Sequence, residues 1–351
     1  MANFEIATRS EVGRNAWDKL VDESNEAWLW HRFAFQDALA TWPHRVDTSF
    51  AIVDPVSQDS LLAVVPMQSI GRKISHTAGI AHLSSLGGVA CVNDLSRKQR
   101  KAILDLARSF MLTLASKFNA IDIDITLSPL APAFRGSLCP RINPLLALSA
   151  SNTLTQTWVV DLAGDVNDLW RNMEGRARTA VRKAEKSGVT VRPANRDGDL
   201  DIYYALHTET YRRTGVPPHP RAYFEAIWRN FKSGNFAQVW FAEVGGNVIA
   251  AENFGIYKKA AIYWTGAASS EGLRLAANPL LQWTAMQWML ETALEWYETG
   301  EAHPYTGDAK LQGLNDFKKS FGGKLYPFYK ARIEIDCLRG RLYRAVRIIL
   351  K

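Results

Sequence analysis

Apolar and polar positions in the first 150 residues predict helices, a hairpin and a strand. Helical spacing predicts helices at Arg9 to Glu23 and Ala34 to Ala40, and a longer one at Ser96 to Phe118. Two apolar runs flanking a polar turn in SFAIVDPVSQDSLLAVVPMQSIG predict a β-hairpin. The alternation in IDIDITL is typical of a strand.

The second half of the chain repeats this order. QTWVVDL predicts a strand, and helices are predicted at about Val166 to Lys186, Leu200 to Thr214 and Ala222 to Phe231. Three further strands are predicted at AQVWFAEV, NVIAAENFGIY and AAIYWTGAAS, the first two joined by a Gly245-Gly246-Asn247 turn. A long helix is then predicted over Pro279 to Tyr297, with Asn278 as N-cap and Gly300 closing it, and YKARIEI predicts a last strand.

Both halves therefore predict an α/β fold in which mixed sheets carry helices, as a weak repeat of topology. The length of 351 residues suits two domains, and a hydrophobic content of 47% is enough for packed cores.

Charge is unevenly distributed along the chain. Residues 1–152 hold 15 basic and 14 acidic side chains, residues 153–319 hold 19 of each, and residues 320–351 hold 8 and 2. The net charge of +7 therefore sits mainly in the tail, which disfavours a general nucleic-acid coat.

The sequence disfavours disulfides, a metal site, secretion and a membrane-spanning helix. Three widely spaced cysteines, Cys91, Cys139 and Cys337, and seven histidines without ligand spacing predict neither a disulfide framework nor a metal site. Neither a signal peptide nor a stretch of transmembrane length is visible. We expect a cytoplasmic protein.

A basic segment, GRARTAVRKAEKSGVTV from Gly175 to Val191, is the first candidate for binding chemistry. On a helix, Arg178, Arg182 and Lys186 share one face, and Arg176 and Lys183 lie beside it. Such a face is either solvated, with Glu174 and Glu185 as partners, or a cradle for an anion.

Four separate pieces carry a resemblance to a known family. WRNMEGRARTAVRKAEKSGVTV, YRRTGVPP, AIYWTGAASSEGLRLAANPLLQW and GLNDFKKSFGG together resemble the Fem-type aminoacyltransferases and related acyltransferases of the GNAT superfamily. The resemblance implies two tandem GNAT-like domains, 1–152 completed by 326–351, and 153–325. It places the active cleft between or beside them.

The resemblance also implies roles for individual residues. Lys318, in the FK pair of GLNDFKKSFGG, would project into the cleft and stabilise an oxyanion, while Phe317 and Phe321 pack on one helical face. HPYTGD is predicted to be strand-like, which would place Asp308 at a strand end beside the cleft. For the proton acceptor, Asp308 and Glu252 in NVIAAENFGIY remain alternatives, and Glu252 could equally be an exposed edge-strand acid. The implied substrate-binding residues are Arg176, Arg178, Arg182, Lys183, Tyr211, Arg212, Tyr263, Arg274, Asn278 and Phe317.

The donor is left open between two classes. In GNAT enzymes a glycine-rich loop before the long helix binds a pyrophosphate, and RLAANP occupies that place here. Ala277 replaces a glycine and Pro279 lacks an N–H, so this anion site is degraded, or is simply a capped helix start. We expect acyl-CoA, with aminoacyl-tRNA as the alternative, and no metal.

The predicted reaction is transfer of an acyl group to an amine. The acceptor would be an amino sugar, a cell-envelope precursor or a similar small or lipid-linked amine; a non-catalytic GNAT-like binding module is the rival interpretation. The tail helix LRGRLYRAVRIILK is basic and amphipathic, so it either packs on the first domain or rests on anionic membrane at the inner face.

Overall fold

The chain folds into two compact units in a computed structural model that describes residues 4–56, 60–73, 79–336 and 340–341. One unit comprises Met1–Thr155 with Pro327–Lys351, and the other comprises Gln156–Tyr326. Cys337 and nearly all of the predicted tail helix lie outside the described residues. The predicted membrane contact of that helix therefore stays a prediction. Within the described ranges, the helices are too short or too polar to cross a bilayer.

Among the described residues, the first unit contains two sheets and three α-helices. Its strands are β1 (Glu5–Thr8), β2 (Arg45–Asp47), β3 (Phe50–Asp54), β4 (Ser60–Val65), β5 (Gln68–Lys73), β6 (Gly79–Leu86), β7 (Ala90–Cys91), β8 (Ala120–Thr126) and β9 (Ser151–Asn152). Its helices are α1 (Arg9–Glu23), α2 (Phe33–Ala40) and α3 (Arg97–Lys117). A four-stranded sheet has the order β1-β3-β4-β7.

The larger sheet of this unit uses a strand from near the chain's end. Its order is β2-β5-β6-β8-β17-β9, where β17 is Lys330–Glu334 and pairs antiparallel with β8. The predicted hairpin, the long helix and the IDIDITL and YKARIEI strands are thereby confirmed.

The second unit is one seven-stranded sheet with helices packed on it. Its strands are β10 (Thr155–Asp161), β11 (Thr190–Pro193), β12 (Ala237–Val244), β13 (Asn247–Tyr257), β14 (Ala260–Ala268), β15 (Trp296–Ala302) and β16 (Lys324–Phe328). Its helices are α4 (Val166–Asn172), α5 (Gly175–Lys186), α6 (Asp199–Thr214), α7 (Arg221–Ile227), α8 (Ser270–Arg274), α9 (Ala277–Glu291) and α10 (Ala309–Lys319). The strand order is β11-β12-β13-β14-β15-β10-β16.

Helices cover both faces of this sheet. Glu252 on β13 bonds to side chains of α9, whereas Thr265, on the neighbouring β14, bonds to the Tyr203 hydroxyl of α6 at 2.6 Å. Glu252 pairs with Gly266 across the two strands, and the next pair, Asn253 with Thr265, points to the other face because side chains alternate along a strand. The α9 and α6 helices therefore lie on opposite faces, which is the mixed α/β fold predicted from the sequence.

Three predicted boundaries in this unit are wrong. The segment from Val166 to Lys186 forms two helices, since the chain is extended at Met173 and Glu174. The long helix ends at Glu291, and the following WYETGEA is strand β15, so that Gly300 lies inside a strand and does not close a helix. HPYTGD, predicted to be strand-like, is a turn-rich connection.

The predicted hairpin turn between β12 and β13 is confirmed. Both Gly245 and Gly246 have positive φ, 55° and 82°, as a type I′ turn requires. The turn pairs β13 with β12, and β13 is an internal strand because it also pairs with β14.

Candidate active site

The candidate site lies where two parallel strands separate. Strands β14 and β15 pair only over three positions, Ala260 to Ile262 with Trp296 to Glu298. Beyond them β14 continues to Ala268 and β15 to Ala302 without a shared ladder. Strand ends of this kind in α/β sheets open a crevice suited to a ligand.

A pocket of about 340 Å³ is lined by Tyr263 of β14 and by residues of the neighbouring helices. The lining residues are Tyr263, Gly272, Leu273, Ala276, Asn278, Pro279, Leu314, Phe317 and Lys318, all of the second unit. The volume is at the small end of the range for ligand pockets and suits a small ligand. A cleft between the two domains stays a prediction.

Lys318 reaches the pocket across a glycine of β15. Its Nζ donates to the carbonyl oxygen of Glu301 at 2.9 Å. Gly300 has φ of 116°, and a Cβ built on it would lie 3.1 Å from both Cε and Nζ of Lys318. Gly300 therefore lets the lysine side chain run directly over the strand.

The helix that carries Lys318 is held by its neighbouring side chains. Phe317 and Phe321 meet edge to face with ring centroids 5.0 Å apart, as the i, i+4 spacing predicted. The indole N–H of Trp158 donates to Oδ1 of Asn315 at 2.9 Å, and the Thr299 hydroxyl donates to the Lys318 carbonyl at 3.2 Å. These contacts fix α10 against β10 and β15.

Glu252 is a carboxylate buried in the sheet behind the pocket. It has no exposed surface, so the alternative of an edge-strand acid is wrong. Its Oε1 accepts from Asn278 Nδ2 at 3.1 Å and its Oε2 from Gln282 Nε2 at 2.7 Å. Burial raises the pKa of Glu252 to about 8, against the lowering effect of these donors and of a hydrogen bond with Tyr263.

Tyr263 and Asn278 connect Glu252 with the pocket, since both line the pocket and both bond to the carboxylate. The Tyr263 hydroxyl oxygen lies 1.9 Å from the position that a Cβ on Gly266 would occupy. Gly266, which is opposite Glu252 on β14, therefore leaves room for this hydroxyl. The Oδ1 of Asn278 is buried and makes no hydrogen bond within the described structure.

The start of α9 differs from the sequence prediction. Ala276 is the N-cap residue, in the left-handed conformation with φ of 58°, and Asn278 lies inside the first turn. Asn278 consequently directs its side chain to Glu252 and does not cap the helix. Pro279 also lies in this first turn, where its missing N–H removes one donor that an anion would use.

The structure does not bring Asp308 to Lys318. Asp308 is the N-cap of α10, where its Oδ1 accepts from the backbone N–H of Lys310 at 2.8 Å and of Leu311 at 3.2 Å. Lys318 lies at the other end of the same helix, about 15 Å away at the usual rise per residue. Of the two predicted carboxylates, only Glu252 adjoins the pocket.

Two arginines at the start of α5 contact other groups of the protein. Arg178 donates to the carbonyl of Arg171 at 3.1 Å and also to that of Met173, which closes the end of α4. Arg176 pairs with Glu174 at 2.8 Å. The structure thus gives Arg178 a structural role, and binding of an anion by the basic residues of α5, Arg178 included, stays a prediction.

Arg182, Lys183 and Arg274 also have partners in the protein. The Arg182 guanidinium lies 5.3 Å from the ring centre of Trp170, and Lys183 Nζ donates to the carbonyl of Arg274 at 2.6 Å. Arg274 itself pairs with Glu271 at 3.0 Å.

Tyr211 and Arg212 lie on α6, and neither lines the pocket. Tyr211 packs on His207 with ring centroids 4.0 Å apart, in an aromatic cluster on the face of the sheet opposite α9. Burial lowers the pKa of His207 to about 3, so this imidazole is neutral. As for metals, the described part of the chain contains no group of three or more ligand-type side chains able to hold an ion.

Comparison with known proteins places the pocket in a recognised domain. The family model described as acetyltransferase (GNAT) domain matches residues 171–319, which include Glu252, Tyr263, Asn278 and Lys318. A comparison with curated protein sequences finds no match.

Solved structures share the fold over nearly the whole chain. FemX has a TM-score of 0.66 at 16% identity, covering 97% of this chain and 99% of its own. The C-terminal domain described as that of a lysylphosphatidylglycerol synthetase from Agrobacterium fabrum has a TM-score of 0.55 at 15% identity, covering 97% and 96%. A tandem GNAT protein from the clavulanic acid biosynthesis pathway has a TM-score of 0.52 at 13% identity, covering 95% and 98%.

Proposed function

We propose, from the premise that this chain is an acyltransferase with the GNAT fold, that it is an N-acyltransferase acting at the pocket where β14 and β15 separate. The observation that carries the proposal is the pocket itself, which Lys318 and two hydrogen-bond partners of the buried Glu252 line together. We therefore prefer the enzyme to the rival interpretation, a non-catalytic GNAT-like binding module.

The nucleophile in this proposal is a primary amine, and Glu252 is the final proton acceptor. The amine nitrogen forms a bond to the acyl carbonyl carbon and loses one proton. The Tyr263 hydroxyl, which reaches both pocket and carboxylate, takes that proton as it passes its own to Glu252. A pKa near 8 suits this step, because a base works best when its pKa is close to the working pH.

Lys318 stabilises the charge that forms on the carbonyl oxygen. Its ammonium donates to the Glu301 carbonyl, which holds Nζ in place. In this proposal the positive charge of the ammonium stabilises the tetrahedral oxyanion, which collapses when the bond to the carrier's sulfur or oxygen breaks and the carrier leaves as its thiolate or alkoxide. Removing such a donor typically costs about 100-fold to 1,000-fold in turnover.

The donor we propose is an acyl group activated on a phosphate-bearing carrier, with acyl-CoA ahead of aminoacyl-tRNA. A thioester suits the apolar lining of the pocket, where Leu273, Leu314 and Phe317 contribute side chains. The acceptor we propose is an amino sugar, a cell-envelope precursor or a similar small or lipid-linked amine.

A mass-spectrometric turnover survey tests the reaction and the donor together. The wild-type chain is incubated with acyl-CoA thioesters in one arm and charged tRNAs in the other, each with a panel of amino sugars. An amide product in the first arm supports the thioester donor, and one in the second arm only would replace it with the tRNA ester.

The chemistry is tested with two neighbouring lysines. Lys318→Ala should lose about 100-fold or more in turnover, while Lys319→Ala should keep it, because Lys319 lies 3.6 Å from Glu174 and does not line the pocket. Equal turnover by both variants would show that Lys318 has no part in the reaction.

A further inference from the structure

The hydrogen bonds around Glu252 are asymmetric. Gln282 is engaged at both ends of its amide, since Tyr297 donates its hydroxyl proton to Oε1 while Nε2 donates to Glu252 Oε2 at 2.7 Å. Asn278 is engaged at one end only, through Nδ2, and its buried Oδ1 accepts no hydrogen bond from the described residues.

A hydroxyl donor fixes which way the Gln282 amide faces. If Gln282 rotated by 180°, its NH₂ group would donate to the Tyr297 oxygen, and the Tyr297 hydroxyl proton would lose its acceptor. The Gln282 oxygen would then face the carboxylate of Glu252, which repels it. Tyr297, Gln282 and Glu252 are all buried, so water does not replace a lost partner. Oε2 of Glu252 is therefore held as an acceptor.

Asn278 has no such constraint. A half-turn of its amide would present the unpartnered Oδ1 to Glu252, and that oxygen would accept a proton carried on Oε1. Asn278 also lines the pocket, so Oε1 is the carboxylate oxygen on the pocket side.

We propose that Tyr297 and Gln282 act as a lock that keeps Glu252 Oε2 unprotonated and directs proton uptake to Oε1, beside Asn278. The catalytic use of this lock rests on the proposed function, whereas the hydrogen-bond arrangement itself does not. Tyr297 and Gln282 touch neither substrate nor reacting atoms, and we define them as positioning residues for Glu252.

The groups that face Glu252 come from three elements. Gln282 and Asn278 lie on α9, Tyr263 on β14 and Tyr297 on β15. Burial raises the pKa values of both tyrosines well above the usual range, so they remain neutral donors while Glu252 titrates.

A double-mutant cycle on the pKa of Glu252 tests the lock without an activity assay. The pKa is read from the carboxylic C=O band in pH-difference infrared spectra, with the band assigned by its loss in Glu252→Gln. Gln282→Met removes a donor to the carboxylate and should raise the pKa by about one unit. Tyr297→Phe frees the Gln282 amide and should also raise it, by no more than Gln282→Met does.

The combined variant gives the decisive comparison. Because Tyr297 acts through Gln282, Tyr297→Phe should add no further shift in the Gln282→Met background. An equal shift in both backgrounds, or none from Tyr297→Phe in the wild type, would overturn the lock. Tyr203→Phe, a matched buried tyrosine that bonds to Thr265 on the other face of the sheet, should leave the Glu252 pKa unchanged.

Two further outcomes separate the proposals from each other. If Gln282→Met does not fold, comparing the Glu252 pKa in Tyr297→Phe with that in Tyr203→Phe still decides whether the lock exists. If Glu252→Gln retains full acyl transfer, the catalytic role of Glu252 fails, whereas a shift of the infrared titration in Tyr297→Phe and in Gln282→Met, but not in Tyr203→Phe, would still support the lock.

Discussion

Replacing Glu252 with glutamine should change how the stability of the second unit depends on pH. The side chain is wholly buried, and burial raises its pKa to about 8 from an ordinary value of 4.5. A carboxyl group with a raised folded-state pKa contributes stability that is complete below the unfolded-state pKa and is lost as pH rises to the folded-state pKa. The relevant window therefore runs from about pH 4.5 to about pH 8.

The magnitude follows from the slope in that window. Each pH unit lowers the free energy of unfolding by about 1.4 kcal/mol, because the unfolded state is ionised there and the folded state is protonated. Between about pH 5.5 and pH 7.5 the loss from Glu252 is about 2.5 kcal/mol. Glu252→Gln does not titrate, so the variant should gain that much relative to the wild type over the same interval.

Amide hydrogen exchange of β13 measures this difference locally. Protection of the Asn247–Tyr257 segment is compared between variant and wild type at each pH, so intrinsic exchange rates cancel. The ratio of protection factors should rise about 70-fold between the two pH values in favour of Glu252→Gln. A ratio that stays the same at both pH values would refute the raised pKa and, with it, the reasoning about the base.

The site makes three further predictions. Acyl transfer should increase with pH through about 8, because Glu252 must be ionised to take a proton; a rate–pH profile that is flat from pH 6 to 9 would contradict this. Gly300→Ala should displace Lys318 and lower turnover at least tenfold, since φ is 116° and the new methyl would lie 3.1 Å from Nζ. Steady-state kinetics measure this loss, with Gly307→Ala as the control because no atom lies within 4 Å of its added methyl. Arg178→Ala should lower the free energy of unfolding by about 1 to 3 kcal/mol, measured by urea titration, because it leaves carbonyls at the end of α4 unpaired. The KM for the donor should not change, and a raised KM at unchanged stability would instead support phosphate binding.

Local patterns were sufficient to predict most elements and one part of the site. The spacing of Phe317 and Phe321 predicts that the two rings pack on one face of α10, and the structure confirms this ring pair. Lys318 lines the pocket together with Phe317, and its catalytic role stays a prediction. The apolar neighbours of Glu252 were compatible with an edge strand or an internal strand. Only the pairing of β13 with strands on both sides decides in favour of burial.

Other features depend on pairing partners that no local pattern contains. WYETGEA continues the apolar spacing of α9, so the helix was predicted to run on into what is strand β15. Asp308 follows an apparent strand in the sequence, yet it caps α10 because its oxygens satisfy the free N–H groups of that helix. Gln282 is an isolated polar residue among the apolar positions of PLLQW, which indicates a buried polar contact. Its partner Tyr297 cannot be identified from the sequence, because the apolar spacing predicts Tyr297 at the end of the helix and the structure has it on β15.

The central claim is that acyl transfer takes place in the pocket where β14 and β15 separate. The most direct measurement is a hydrogen-exchange footprint of the wild-type chain with coenzyme A thioester or aminoacyl-tRNA, whichever turns over in the survey. Added protection is expected in the segments that contain Tyr263, residues 272–279 and residues 314–318. Protection confined to the first unit, with these segments unchanged, would contradict it.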